Sequence, residues 1–162
     1  VTDEEKLKQL QPDFAALIVK LMAAVKARGF ELMITQALRT FEEQNALYAK
    51  GRTKPGPKVT NAKGGESYHN YGAAVDLCLK EKVNGSHFPD KHPVWNVIGE
   101  EAEKLGLEWG GRWKSMPDRP HVQAPVTLAN LKKWHTKGDR AEVWANVAKA
   151  LEPELKTEDV AA

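Results

Sequence analysis

Ser67-Tyr68-His69-Asn70-Tyr71-Gly72-Ala73-Ala74-Val75-Asp76 passes from a polar, aromatic loop through a glycine into an apolar run, Val75 to Leu79. Asp76 alternates with Val75 and Leu77, so on a strand its carboxylate faces away from their side chains. A second segment, Asp118-Arg119-Pro120-His121, completes the set. Together they supply two histidines and one carboxylate as ligands, with a further carboxylate to spare. A catalytic zinc site needs that inventory: three protein ligands, an open position for water, and a base for the water's proton.

His69 and Asp76 stand seven residues apart. If Gly72 permits a turn, His69 sits on the loop side and Asp76 on the strand, both aimed at one ion. A lone carboxylate in an apolar run needs a partner, and a metal is a good one. Pro120 biases Arg119 toward extended backbone and so sets the entry into a strand at His121. Asp118, three residues before His121, lies near the ion without having to bind it, where a general base belongs. The spacing alone stays open to plainer readings. A histidine in a Tyr-rich loop is commonly a hydrogen-bonded surface residue, and Asp118 beside Arg119 is compatible with an ordinary ion pair. His87, His92 and His135 match no partner spacing and are read as non-ligands.

Outward from this stretch, the pattern is mixed. Phe14, Leu17, Ile18, Leu21, Met22 and Val25 recur at the three–four spacing of a core-facing helix, with Pro12 in its first turn and Gly29 at its end. Glu31–Gln36 reads as a short strand. Thr40-x-x-Glu43 makes a capping box for a helix over Glu42–Lys50, ended by Gly51. Residues 51–66 carry no apolar period and form a long loop leading into His69. Ala73–Lys80 reads as a strand, followed by a possible hairpin turn at Asn84-Gly85. A helix from Pro93 carries Val94, Val97, Ile98, Ala102 and Leu105 and closes at Gly106. Leu107–Trp109 and His121–Gln123 are further short strands. Thr127–Trp134 and Asp139–Leu151 read as two helices, the second capped by Asp139, before a polar end at 152–162 expected to fray. These elements predict an α+β fold: a small, mostly antiparallel sheet flanked by helices, with zinc at its cleft. Residues 1–125 are expected to form the catalytic domain and 126–162 a helical extension packed on it.

The chain has 162 residues and a formal net charge of +2, enough for one core and too little charge for a nucleic-acid footprint. The single cysteine, Cys78, has no partner for an intramolecular disulfide and reads as a small buried hydrophobe. No apolar run approaches the ~20 residues of a membrane span, and the N-terminus shows no signal-peptide core.

Ser67-x-His69-x-x-Gly72-x-Ala74-x-Asp76 with Asp118-x-x-His121 resembles the metallopeptidases related to D-alanyl-D-alanine carboxypeptidases and the VanX and VanY dipeptidases. Leu38-Arg39-Thr40-Phe41-Glu42-Glu43-Gln44-Asn45, Gly51-Arg52-Thr53 and Trp109-Gly110-Gly111-x-Trp113 narrow the resemblance to the L-alanyl-D-glutamate endopeptidases of phage-endolysin and CwlK type. It covers about residues 32–123. It implies a Hedgehog/D-Ala-D-Ala-peptidase-like fold, one Zn2+ per chain held by His69, Asp76 and His121, Asp118 as catalytic base and Arg39 stabilising developing negative charge. Ser67, Gln44, Trp109 and Trp113 are the implied substrate-binding or supporting residues. The implied activity is hydrolysis of the L-alanyl-D-glutamate bond of bacterial peptidoglycan. The expected setting is a monomeric phage lysin without nucleic-acid partners, cytoplasmic until release onto the wall, with a bacterial autolysin exported by another route as the alternative. Two other readings stand beside it: a D-alanyl-D-alanine carboxypeptidase or dipeptidase, and a non-catalytic zinc-containing wall-binding module.

Overall fold

The computed structural model describes residues 1–161, with side chains through Leu155. Its centre is a four-stranded antiparallel sheet in the order β1-β2-β4-β3, built from Leu32–Gln36 (β1), Ala74–Leu79 (β2), Glu108–Trp109 (β3) and His121–Gln123 (β4). The α+β expectation holds, and all three strand pairs are antiparallel. Register matters most between β2 and β4, where Asp76 is paired with His121. That pairing brings together two residues 45 positions apart in the chain.

Helices cover the sheet because their apolar stripes have nowhere else to go. The helix α2 (Pro12–Ala27) buries Phe14, Leu17, Ile18, Leu21 and Val25, the stripe read from its sequence. Gln11 caps it, accepting from the Phe14 amide at 2.7 Å. The helix α3 (Phe41–Ala49) starts at the expected capping box, with Thr40 and Glu43 exchanging side-chain and backbone bonds of 3.0 Å. The third helix of the sequence reading, α4 (Val94–Lys104), buries Val94, Val97, Ile98 and Ala102. Asn84 and Gly85 both take positive φ, closing a tight turn in which Val83 and Ser86 bond each other.

One element was not foreseen. The short helix α1 (Asp3–Leu7) carries its own capping box from Thr2 and Glu5 and buries no residue. It lies along the edge strand: Lys6 Nζ donates to the Ile34 carbonyl at 2.7 Å, and the Ile34 amide donates to Asp3 at 3.1 Å. Those bonds satisfy backbone groups that an open sheet edge would leave for another chain.

The C-terminal segment, α5 (Leu128–Ala161), is continuous apart from a break at Gly138 and Asp139. Thr127 caps its start by accepting from Asn130. Asp139 stands at the break as expected, but with φ 53° and ψ −151° rather than the extended geometry of a capping residue. Of the polar end expected to fray, residues 152–155 continue the helix; Leu151 is fully buried and Leu155 packs on the core. The side chains of 156–162 lie outside the described residues. Leu131, Val143, Val147 and Leu151 share one apolar cluster with α2 and the sheet.

Candidate metal centre

Two local devices aim the residues of the site. Tyr68–Tyr71 form one turn of 3-10 helix, started by Ser67, whose hydroxyl accepts from the His69 amide at 3.3 Å. Gly72 ends it at φ 67°, a left-handed conformation that side chains other than hydrogen adopt at a cost. A Cβ there would also press on Gln11 N, Gln9 O and the Trp144 ring at 3.2–3.3 Å. On the opposite side, a Cβ on Gly110 would lie 2.3 Å from the Asp118 carbonyl. Only glycine lets the chain after β3 pass so close to Asp118, whose amide donates to the Gly110 carbonyl at 2.9 Å.

The result is a cleft of about 590 Å³ whose lining includes Arg39, Ser67, His69, Asp76, Asp118 and His121. His69, Asp76 and His121 present three ligand atoms within 4.8 Å of one another. Asp76 Oδ1 lies 3.4 Å from His69 Nε2 and 3.2 Å from His121 Nδ1. A tetrahedral zinc with ligands at 2.0–2.1 Å requires separations of about 3.3 Å.

Hydrogen bonding gives a second test of fit. His69 Nδ1 lies 2.9 Å from the Ala37 carbonyl, an acceptor only. His121 Nε2 lies 2.8 Å from Gln123 Oε1. The Gln123 amide is oriented in turn, because its nitrogen donates to Glu108 at 2.9 Å and a carboxylate can only accept. Each histidine therefore has an acceptor on its outer nitrogen and the Asp76 carboxylate on its inner one. A neutral imidazole has one N–H and cannot serve both. Satisfying both rings with protons would bury two imidazolium ions with centroids 5.2 Å apart, a costly arrangement. A divalent cation resolves the conflict: the outer nitrogens keep their protons, and the two inner lone pairs and the carboxylate face the metal.

The electrostatics have the same shape. Burial pushes the Asp76 carboxyl up, but hydrogen bonds and charge from His121 and His69 outweigh it and hold it well below the ordinary carboxylate range. Burial pulls His121 down, while Asp76, Gln123 and Asp118 hold it above the usual histidine value. Asp118 lines the cleft outside the three-ligand cluster. Partial desolvation, then the Asp76 charge, push its carboxyl above the ordinary value, the direction that suits a proton acceptor working near neutrality.

The other sequence-derived residues separate into three places. Ser67 and Trp113 line the cleft, with the Trp113 ring 5.1 Å from His121. Arg39 also lines it; its Nη1 donates to Gln44 Oε1 at 2.9 Å, and its Nε is buried without a partner. Gln44 is fully buried behind Arg39 and does not line the cleft. It bridges inward, holding Arg39 on one side and the Ala62 carbonyl on the other at 2.8 Å. Trp109 belongs to the core at 5% exposure, and its indole donates to the Arg119 carbonyl at 2.7 Å. Large and flat, it fills the space under Gly99 and Gly111 rather than walling the cleft. Gln123 and Glu108 escaped the sequence reading. The available signal was His121-x-Gln123, which places both side chains on one face of a strand.

A family model described as D-alanyl-D-alanine carboxypeptidase matches residues 60–124, the span that carries the three ligands and Asp118. The chain belongs to this peptidase family. It is 45% identical over 111 residues to the peptidoglycan L-alanyl-D-glutamate endopeptidase CwlK of Bacillus subtilis (strain 168), covering 64% of this chain and 66% of that protein. It is 28% identical over 120 residues to the L-alanyl-D-glutamate peptidase of Listeria phage A118, covering 72% of this chain and 38% of the phage protein. Solved structures share the fold. The Serratia marcescens L-Ala D-Glu endopeptidase ChiX superposes with a TM-score of 0.51 at 20% identity, over 82% of this chain and 91% of ChiX. The vancomycin resistance D,D-dipeptidase VanXYg gives 0.54 at 20% identity, over 87% and 60%.

Proposed function

We propose that the chain is a zinc-dependent peptidoglycan endopeptidase hydrolysing the L-alanyl-D-glutamate bond of stem peptides. The observation that carries the metal is the pair of histidines with acceptors on both ring nitrogens, a conflict that a cation between the inner nitrogens and Asp76 would resolve. The bond specificity is supported by the 45% identity to CwlK, and a role in lysing a host wall by the likeness to the phage enzyme. No helix among the described residues is long and apolar enough to cross a membrane.

Zinc held by His69 Nε2, Asp76 and His121 Nδ1 would supply the Lewis acidity for peptide hydrolysis. The protein's own part is proton handling and positioning. Asp118 takes the proton of the attacking water and returns it to the leaving amine. Arg39, oriented by Gln44, presents a fixed cation to negative charge in the cleft, either on the carbonyl oxygen or on the stem's carboxylate. Ser67 holds the His69 backbone in its turn and faces the bound peptide. Trp113 closes the opposite side over His121. Gln123, braced by Glu108, fixes which nitrogen of His121 faces the metal. The helical segment from Leu128 to Leu155 serves as scaffold on the same core, its apolar residues sharing the core's cluster.

Asp118→Ala separates the roles. It should retain about one zinc per chain and lose roughly 10²–10⁴-fold in kcat, read from metal content and turnover of the same preparation. Full turnover in that variant would remove Asp118 from the mechanism. Loss of zinc would make it a ligand.

A further inference from the structure

The cleft does not stop at Asp118. On its far side a second depression of about 270 Å³ is lined by Phe88, Pro89, Asp90, Trp95 and Arg119, and it shares Asp118 with the metal cleft. Its floor is aromatic. Phe88 is 47% exposed and lies nearly parallel to the buried Trp95, at an interplanar angle of 11° and a centroid distance of 6.3 Å. The platform is fixed from below, since the Trp95 indole donates to the Pro89 carbonyl at 2.8 Å and the Phe88 amide to the Ser86 hydroxyl at 3.0 Å. At its rim Arg119 and Asp90 pair at 3.0 Å, both with exposed side chains. Two exposed aromatic side chains flank Asp118, Phe88 lining this depression and Trp113, 39% exposed, lining the metal cleft.

We propose that this platform is a saccharide subsite, taking the N-acetylhexosamine ring to which the stem peptide is attached. The inference rests on the peptidoglycan endopeptidase reading above. In that substrate the L-alanine amine is acylated by a lactyl group borne on the sugar. One residue and a short ether therefore separate the scissile carbonyl from the ring, a reach of roughly two residue lengths, ~7 Å. The depression adjoins the metal cleft through the shared Asp118, on the side such a short tether can serve. The ends of the cleft differ in charge to match. Arg39 lines the metal cleft and not the platform, and offers a fixed cation to the carboxylate-bearing peptide half. The platform offers the exposed Phe88 face with the Asp90–Arg119 pair and the shared Asp118 at its edge, and so fits a pyranose face on the ring with hydroxyls meeting the carboxylates and Arg119.

Two substrates test this: a disaccharide muropeptide and the same stem peptide without sugar. Phe88→Ala should raise KM for the muropeptide roughly five- to tenfold, at the stacking strengths aromatic faces supply, and leave the free peptide unchanged within about twofold. Equal losses on both substrates, or none on either, would overturn the subsite. Binding is read independently of hydrolysis by following the Trp95 indole N–H resonance while titrating the peptide-free disaccharide. The wild type should shift and Phe88→Ala should not; a silent wild-type resonance contradicts the proposal. If the resonance shifts while neither substrate is cleaved, the subsite stands and the endopeptidase reading falls.

Discussion

The two walls of the cleft are held by different means. The sheet wall carries His69, Asp76 and His121, placed by strand register and by one 3-10 turn. The facing wall is the 51–66 loop, whose only ladder contact among the described residues is the single bridge Lys50–Lys54. Side chains fasten it instead. Gln44 reaches the Ala62 carbonyl, Arg52 reaches the Tyr48 and Thr60 carbonyls at 2.7 and 3.0 Å, and Asn45 accepts from the Gly64 amide at 2.7 Å. Arg52 also lies over the Tyr48 ring, 3.8 Å from its centroid. The sheet wall fixes distances to within what metal chemistry tolerates, while a side-chain-stapled loop can adjust to a polymer. On this account the sheet wall governs metal affinity and the loop wall governs substrate affinity.

Substitutions on each wall can break that division. The largest effect belongs to His121→Ala, which should leave zinc content near zero after dialysis while the near-UV spectrum keeps its native form. Zinc retained at wild-type stoichiometry would remove His121 from the ligand set. Gln123→Ala, one step behind, should weaken zinc roughly 10–100-fold in chelator competition. Unchanged affinity would mean the Glu108–Gln123 relay is packing alone. On the loop wall, Gln44→Ala frees Arg39 and the Ala62 carbonyl together, and should cost roughly tenfold in kcat/KM at unaltered zinc affinity, the scale of a lost hydrogen bond to a charged group. If it releases zinc instead, the two walls are not separable. The smallest effect is expected from Arg52→Ala. It should speed amide exchange at 60–62 and raise KM a few-fold, the size of one or two exposed hydrogen bonds.

The same contrast explains what the chain revealed before its structure. His69, Asp76, Asp118 and His121 could be read because metal chemistry restricts residue type, and because Gly72 and Pro120 flag the turns that aim them. The Thr40–Glu43 box and the α2 stripe were legible because local rules place them. The partners that fix the histidines were not. Ala37 contributes a carbonyl, which no residue type announces. Glu108 meets Gln123 only through the β3–β4 register, which two short strands do not specify in advance. The short helix α1 has a clear capping box but no apolar stripe, so its reason for existing is the sheet edge it covers. Trp109 could not be assigned between core and cleft because aromatic residues serve both; Gly99 and Gly111, both needed to make room for its ring, decide the matter only in three dimensions.

The most direct measurement is mass spectrometry of the soluble fragments released from purified peptidoglycan, with chelator and after zinc is restored. The account predicts new L-alanine C-termini and D-glutamate N-termini, absent with chelator and recovered with zinc. Release of terminal D-alanine instead, or intact walls from a chain carrying its full complement of zinc, would contradict it.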